Sequence, residues 1–329
     1  MSTLADGILE TLAKAADRPV SGEALARGLG VSRAAVWKGV EELRLEGFGI
    51  ESQKGAGYRL AFWPEKLRLG EVRASLGGLS FGKELRFYEE TDSTNRQAAR
   101  WAEEGAPHGA LVVAESQSAG RGRLGREWIG KAGESLLFSL VLRPKIDLSK
   151  APLITFVSAI SLADALCAHI DAARIEIKWP NDLLVEGKKV AGILLESRIE
   201  GTALDYVILG AGINVLGGGE ALPDEIRPLA ATVADFAKEK TPRPAALLAQ
   251  CLAALEKDLW LFGEKGFAPF VERWNGWFRM AGRGICVTAP EGVTRGQALG
   301  LCEDGSLLVK TGAGEKKIVA GDVAYATTK

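Results

Sequence analysis

The sequence predicts an α+β chain in three parts: an N-terminal winged helix-turn-helix, a central mixed β-sheet backed by helices, and a small C-terminal β-barrel. Three observations carry that expectation. Residues 4–46 show helical periodicity broken at capping residues, residues 83–270 alternate strand-like and helix-like runs, and residues 280–327 hold short β runs joined by Glu-Gly and Asp-Gly turns. The expected boundaries are 1–63, a linker at 64–82, 83–278 and 279–329.

In the first part, Leu4, Ile8, Leu12 and Ala15 fall on one helical face. Ser21 suits an N-cap for a short helix over 22–29, Gly30 stops it, and Ser32 caps a third helix reaching about Glu46, with Val36, Val40 and Leu43 as its buried stripe. Residues 50–60, interrupted by Gly55-Ala56-Gly57, predict a two-stranded wing. In that arrangement the third helix would enter a DNA major groove. The candidate contacts are Ser32, Arg33, Trp37 and Lys38 at its start, with Lys54 and Arg59 in the wing. Residues 1–63 carry eight Lys/Arg against eight Asp/Glu, so any contact with nucleic acid must come from a local face. A module that touches only protein is the alternative.

In the central part, 85–88, 111–115 and 136–142 read as strands, with a helix over 94–104 between the first two. A buried helix follows at 153–170, then a strand at 175–178 ending in Trp179-Pro180-Asn181-Asp182. A meander at 183–185, 190–198 and 204–209 turns at Glu186-Gly187 and Glu200-Gly201. Leu248, Leu252, Leu255 and Leu259 stripe a helix over 245–262, and the C-terminal strands fall at 285–287, 294–301, 307–309 and 317–319.

A chain of 329 residues with 47% hydrophobic content can bury large cores, and its net charge of -1 excludes a protein that coats nucleic acid by bulk charge. Cys167, Cys251, Cys286 and Cys302 form no Cys-x-x-Cys pair, so free thiols in a reducing cytosol are expected rather than zinc or disulfides. No basic stretch with an apolar core opens the chain, and the most apolar window, 151–170, contains Asp164 and His169. Neither a signal peptide nor a membrane span is expected.

The stretch Gly120-Arg121-Gly122-Arg123-Leu124-Gly125-Arg126 follows the 111–115 strand and is built to hold an anion. Glycine permits close approach, and guanidinium forks bind carboxylate or phosphate in pairs of hydrogen bonds. The stretch lacks the Gly-Lys-Ser/Thr ending of a Walker A loop, and it runs into Glu127-Trp128-Ile129-Gly130 instead of opening a helix as a dinucleotide loop would. A flexible basic surface turn is the alternative.

Five words in order resemble the biotin-protein ligases: Asp92-Ser93-Thr94-Asn95, Gln117 to Arg123, Lys178-Trp179-Pro180-Asn181-Asp182, Lys189 to Leu194, and Gly210 to Val215. With the helix-turn-helix, the whole chain resembles the bifunctional ligases that also repress the biotin operon. The resemblance implies a class II synthetase-like catalytic domain and an SH3-like C-terminal barrel. It also implies ATP and biotin as substrates with Mg2+, a biotin carboxyl carrier protein such as an acetyl-CoA carboxylase subunit as acceptor, biotin operon DNA as partner, and a cytoplasmic homodimer without membrane association. A ligase with a non-regulatory N-terminal domain and a lipoate-type acyl ligase are the alternatives. No enzyme nucleophile is required, and the sequence offers no activated serine or cysteine beside its two histidines, His108 and His169.

The resemblance further implies residue roles. Ser93, Thr94, Asn95, Gln117, Gly120, Arg121, Gly122, Arg123, Trp128, Lys189 and Gly192 would bind biotin; Arg123, Arg126, Asn181, Asp182, Lys189 and Asn214 would bind the nucleotide. Lys189 and Arg123 would be catalytic, and Asp182 with Asn214 would hold the metal. Structural alternatives stand beside these roles: Asp92 or Ser93 as a helix cap, Trp128 packed on the core, Asp182 stabilising a turn, Gly192 and Gly212 as strand bulges, and Lys188 in place of Lys189. Adjacent strand residues face opposite sides, so only one lysine can enter the site. Leu124 and Glu134 depart from the family pattern, and Leu222 and Ile226 mark a variable segment expected over adenine.

Overall fold

In a computed structural model, residues 4–130, 132–217, 224–289 and 291–326 are described; Leu222 lies outside them. The chain forms two compact units, Met1–Leu79 with Pro244–Ala249, and Ser80–Arg243 with Gln250–Lys329.

The first unit is built as the periodicity predicts. Helices α1 (Leu4–Ala15), α2 (Gly22–Leu29) and α3 (Arg33–Leu45) bury Ile8, Leu9, Leu12, Leu25, Val36, Val40 and Leu43 in one cluster. Ser21 Oγ accepts from Ala24 N at 3.0 Å and Ser32 Oγ from Ala35 N at 3.2 Å, closing two helix starts. Gly30 ends α2 with φ 67°. Strands β1 (Gly49–Gln53) and β2 (Gly57–Phe62) pair antiparallel as the wing. Gly57 has φ 118°, and a Cβ there would stand 2.1 Å from Val20 O, so only glycine lets the wing dock on Val20. The expected linker instead contains a helix, α4 (Leu69–Leu76), whose Val72 is fully buried and whose Arg73 donates to Asp6 Oδ2 at 3.1 Å. Eight residues ending at Gly77-Gly78 carry too little periodicity to announce it.

The second unit is a seven-stranded mixed sheet in the order β3-β4-β5-β9-β8-β7-β6. Its strands are β3 (Leu85–Thr91), β4 (Ala110–Gln117), β5 (Ser135–Leu142), β6 (Ile175–Lys178), β7 (Asp182–Val185), β8 (Lys188–Glu200) and β9 (Ala203–Asn214). Only β3 and β4 are parallel, as the intervening helix α5 (Thr94–Glu103) requires. Helix α6 (Leu153–Cys167) packs on β6, β7 and β8, and the apolar window Leu148–Cys167, long enough to cross a membrane, is 72% buried within the fold as a core helix. Helix α7 (Pro244–Lys265) leads to α8 (Ala268–Trp277), which the sequence reading missed; its Trp274 ring meets Phe156 edge-on at 5.1 Å.

Strands β10 (Gly284–Ala289), β11 (Gly292–Leu301), β12 (Leu307–Thr311), β13 (Gly314–Ile318) and β14 (Asp322–Tyr325) form a five-stranded antiparallel sheet in the order β13-β12-β11-β10-β14. The expected barrel lacked β14. Trp179 Nε1 donates to Gly305 O at 3.1 Å and the Tyr325 hydroxyl to Glu176, so this sheet is fastened to β6 and to the turn after it.

Candidate active site

One cleft gathers residues from the start of α5, the end of β4, the Arg/Gly loop, β8 and β9. Register explains the gathering, since Asp182 pairs with Gly192, Gly192 with Gly212 and Gly212 with Leu137 across four adjacent strands. At one end, Asp92 Oδ1 accepts from Ser93 N at 2.7 Å, whereas the Ser93 side chain makes no cap hydrogen bond. Asp92 therefore takes the local capping role, and the Ser93 hydroxyl lines the cleft instead. Gln117 Oε1 accepts from Thr94 N at 2.6 Å and from Thr94 Oγ1 at 3.0 Å, which leaves the Gln117 amide nitrogen as a donor for a ligand.

Asn95 lines the same cleft with its amide braced by protein. Its Nδ2 donates to Glu196 Oε2 at 2.7 Å and its Oδ1 accepts from Ser139 Oγ at 2.6 Å. Both ends of the amide are thus engaged by protein. A Cβ on Gly210 would fall 1.9 Å from Asn95 Oδ1, so that glycine exists to admit this side chain.

The Arg/Gly loop closes on itself. Gly122 N donates to Arg126 O at 2.7 Å and Trp128 N to Gly120 O at 3.0 Å, with a β-bridge between Arg121 and Glu127. Leu124 occupies its tip at φ 56° and 73% exposure, a left-handed conformation that leucine rarely adopts. Arg121 Nη1 donates to Glu196 Oε1 at 2.7 Å. Arg123 Nη1 donates to Asn181 Oδ1 at 3.2 Å and Nη2 to Gly321 O at 3.4 Å, while Arg126 pairs with Asp322. Burial pushes the Arg123 pKa down, Asp182 pulls it up and Arg126 adds to the fall, yet a guanidinium keeps its charge.

Trp128 lies across the sheet. Cβ atoms on Gly212 and Gly192 would stand 2.4 and 2.9 Å from its indole carbons, so the two glycines admit this ring. The ring forms one wall of the cleft and its Nε1 is buried without a partner. Lys189 Nζ sits 5.3 Å from the ring centroid and 2.7 Å from Asp182 Oδ1, while Lys188 is exposed. The two lysines therefore alternate as strand geometry demands.

Lys189 N donates to Leu229 O at 2.8 Å and Ala231 N to Lys189 O at 2.9 Å, so the segment that follows Ile226 meets β8 in an isolated β-bridge beside the site. Asn214 serves that segment, its Nδ2 donating to Ala231 O at 3.1 Å. Asp182 on β7 and Asn214 on β9 stand either side of β8, two residues apart along the ladder. Among the described residues, no group of three His, Cys, Asp or Glu could hold a metal ion. One carboxylate with nucleotide phosphates and water is nonetheless an ordinary donor set for Mg2+, and Asp182 is the carboxylate in place.

Sequence reasoning passed over Lys178, Glu196, Gly321 and Asp322. Burial pushes the Lys178 pKa down, Asp182 opposes the shift, and Lys189 and Arg126 add to it, which puts Lys178 in the same cluster of cations. It stood inside a quoted word and carried no signal of its own. Gly321 and Asp322, just before and at the start of β14, lie about 200 positions from the loop they meet, beyond any local pattern.

In the first unit, Arg33, Trp37, Lys38 and Lys54 are exposed, Trp37 to 54%. Ser32 is occupied as a cap, and Arg59 is tied to Glu51 at 2.6 Å, with Asp17 at 4.0 Å. Arg59 is thus less free to reach phosphate than its place in the wing suggested.

Comparison with known proteins agrees with this layout. Residues 87–214 match the biotin/lipoate A/B protein ligase family, residues 7–59 an HTH domain and residues 281–324 a biotin protein ligase C-terminal domain. The bifunctional ligase/repressor BirA of Bacillus subtilis (strain 168) is 37% identical over 322 residues, 98% of each chain, and that of Escherichia coli (strain K12) 30% identical over 305 residues, 92% of each. The biotin protein ligase from Aquifex aeolicus in complex with biotin and ATP superposes with a TM-score of 0.63 at 30% identity, covering 74% of this chain and 100% of that one. On identity sustained from the helix-turn-helix to the last sheet, the chain belongs to the biotin protein ligases, in the three-part form of the bifunctional ligase/repressors.

Proposed function

We propose that this chain joins biotin to a lysine of a biotin carboxyl carrier protein through biotinyl-5'-AMP, and that its winged helix represses transcription in response to biotin. One observation carries the reading. A single cleft places the neutral hydrogen-bonding groups of Ser93, Thr94 and Gln117 beside a cluster of fixed cations, Arg121, Arg123 and Lys189. A ureido ring needs the first set; a carboxylate meeting a phosphate needs the second.

In the first step a biotin carboxylate oxygen attacks the α-phosphorus of ATP, and the bond to the pyrophosphate oxygen breaks. In the second, the acceptor amine attacks the acyl carbon, AMP leaves, and the amine gives its proton to solvent. Neither step uses a protein nucleophile. Ser93 and Gln117 orient the ring, Arg121 and Gly122 cover it, and the Trp128 ring screens the valeryl chain from water. Arg123, Lys189 and Lys178 offset charge growing on the phosphates, with Arg126 and Asn181 beside them. Asp182 holds Lys189 in place and would hold Mg2+, which would neutralise phosphate oxygens. Asn214 fixes the segment that follows the adenine cover.

The regulatory half follows by linkage. A winged helix with no net charge binds DNA weakly, so a cytoplasmic homodimer promoted by the adenylate would present two copies to biotin operon DNA. Incubation with ATP, labelled biotin and a carrier domain tests the chemistry: acceptor labelling with biotin-dependent pyrophosphate release is expected. Equal use of lipoate, or pyrophosphate release without biotin, would overturn it.

A further inference from the structure

The Glu196 carboxylate joins two parts of the cleft that the sheet itself does not connect. Its Oε1 receives Arg121 Nη1 from the Arg/Gly loop and its Oε2 receives Asn95 Nδ2 from the first turn of α5, each at 2.7 Å. The α5 end is stiff, because Asn95 is 4% exposed, its Oδ1 is held by Ser139, and Gly210 has no Cβ to displace it. The loop end is half exposed, Arg121 at 44% of its side chain.

We infer that Glu196 is a positioning residue that latches the Arg/Gly loop onto α5 and so sets how long the biotinyl-adenylate is retained; the inference rests on the ligase reading above. Closing the loop forms the Arg121 bond, and releasing the adenylate breaks it. Asn95 is the fixed post against which the latch pulls. Without Glu196, Asn95 Nδ2 keeps only Leu194 O at 3.5 Å, too long for a sound hydrogen bond. A buried donor would then lose its partner and the loop its anchor.

The test uses the full chain as Glu196→Ala and Glu196→Gln, with thermal unfolding measured to show that both fold. Glu196→Ala should release labelled biotinyl-adenylate about tenfold faster, as loss of a charge-assisted bond implies. Its KM for biotin should rise similarly, while kcat for adenylate synthesis at saturation changes by less than about threefold. Glu196→Gln keeps one acceptor oxygen and should fall between. In the Arg121→Ala background, Glu196→Ala should add little to the release rate, because the latch is already open. Hydrogen exchange of the amides of residues 120–128 in the ligand-free protein should quicken in Glu196→Ala. A wild-type release rate in Glu196→Ala, independent effects of the two alanine substitutions, or unchanged loop exchange would overturn the latch. Failure of the wild-type chain to form any adenylate would instead overturn the ligase reading.

Discussion

Replacing Lys189 by alanine tests the phosphate end of the cleft most directly. The ammonium stands 2.7 Å from Asp182 Oδ1 and its side chain is 34% exposed, so it is neither in bulk water nor in a dry core. At an effective dielectric near 20, a unit charge 4 Å from a phosphate oxygen contributes about 4 kcal/mol; partial exposure lowers that to roughly 3 kcal/mol, or about two orders of magnitude in rate. A second effect adds to the first. Losing the ammonium leaves the Asp182 carboxylate facing the phosphates without its counter-charge. Lys189→Ala should therefore slow biotin-dependent pyrophosphate release in single turnover by a factor of about 10² or more. Lys188→Ala, on the opposite strand face, should stay within about twofold of wild type. Equal behaviour of the two alanine variants would refute the assignment.

Arg123→Gly should speed adenylate escape about ten- to hundredfold, as loss of a charge-assisted bond of about 1.5 to 3 kcal/mol implies, and trans-biotinylation of bystander lysines with carrier absent would reveal it. Gly212→Ala forces a Cβ to 2.4 Å from the Trp128 indole and should raise the KM for biotin at least tenfold by displacing that wall, measured by initial rates. Burial, then Glu42 and Asp6, raise the Glu46 pKa against Arg68 and Arg73; its stabilising neutral form is lost as pH rises through that raised value, so Glu46→Gln should unfold no earlier than wild type at pH 7, with the difference closing on acidification in a thermal melt series. Arg33→Ala and Lys38→Ala should each weaken operator binding and lower its salt slope by about one, whereas Arg59→Ala should change the slope less because Glu51 already holds that guanidinium, as anisotropy titrations with a biotin-operon fragment would record.

What the sequence disclosed follows how far each signal reaches along the chain. Caps at Ser21 and Ser32, the stop at Gly30 and the turn at Glu186-Gly187 are local, and the structure places them where the sequence does. Alternation along β8 separated Lys189 from Lys188 for the same reason. Helix α4 escaped because eight residues carry little period, and β14 because four residues after Gly321 resemble any loop.

The cleft itself divides along that line. Quoted words supplied Thr94, Asn95, Arg121 and Arg123, but partners of these come from strands far away in sequence: Ser139 from β5, Glu196 from the second half of β8, Asp322 from the last strand. Such partners also changed the meaning of residues already named. Asn95 became a brace once Glu196 and Ser139 were known, Asn214 an anchor for Ala231, and Gly212 a seat for Trp128. Residue type told what each group can do, whereas only the register of Asp182, Gly192 and Gly212 told which partner it meets. An exchange at Asn95 or Glu196 should therefore act on ligand retention without removing any group that touches the reacting atoms, and an exchange at Lys189 should act on the reaction itself.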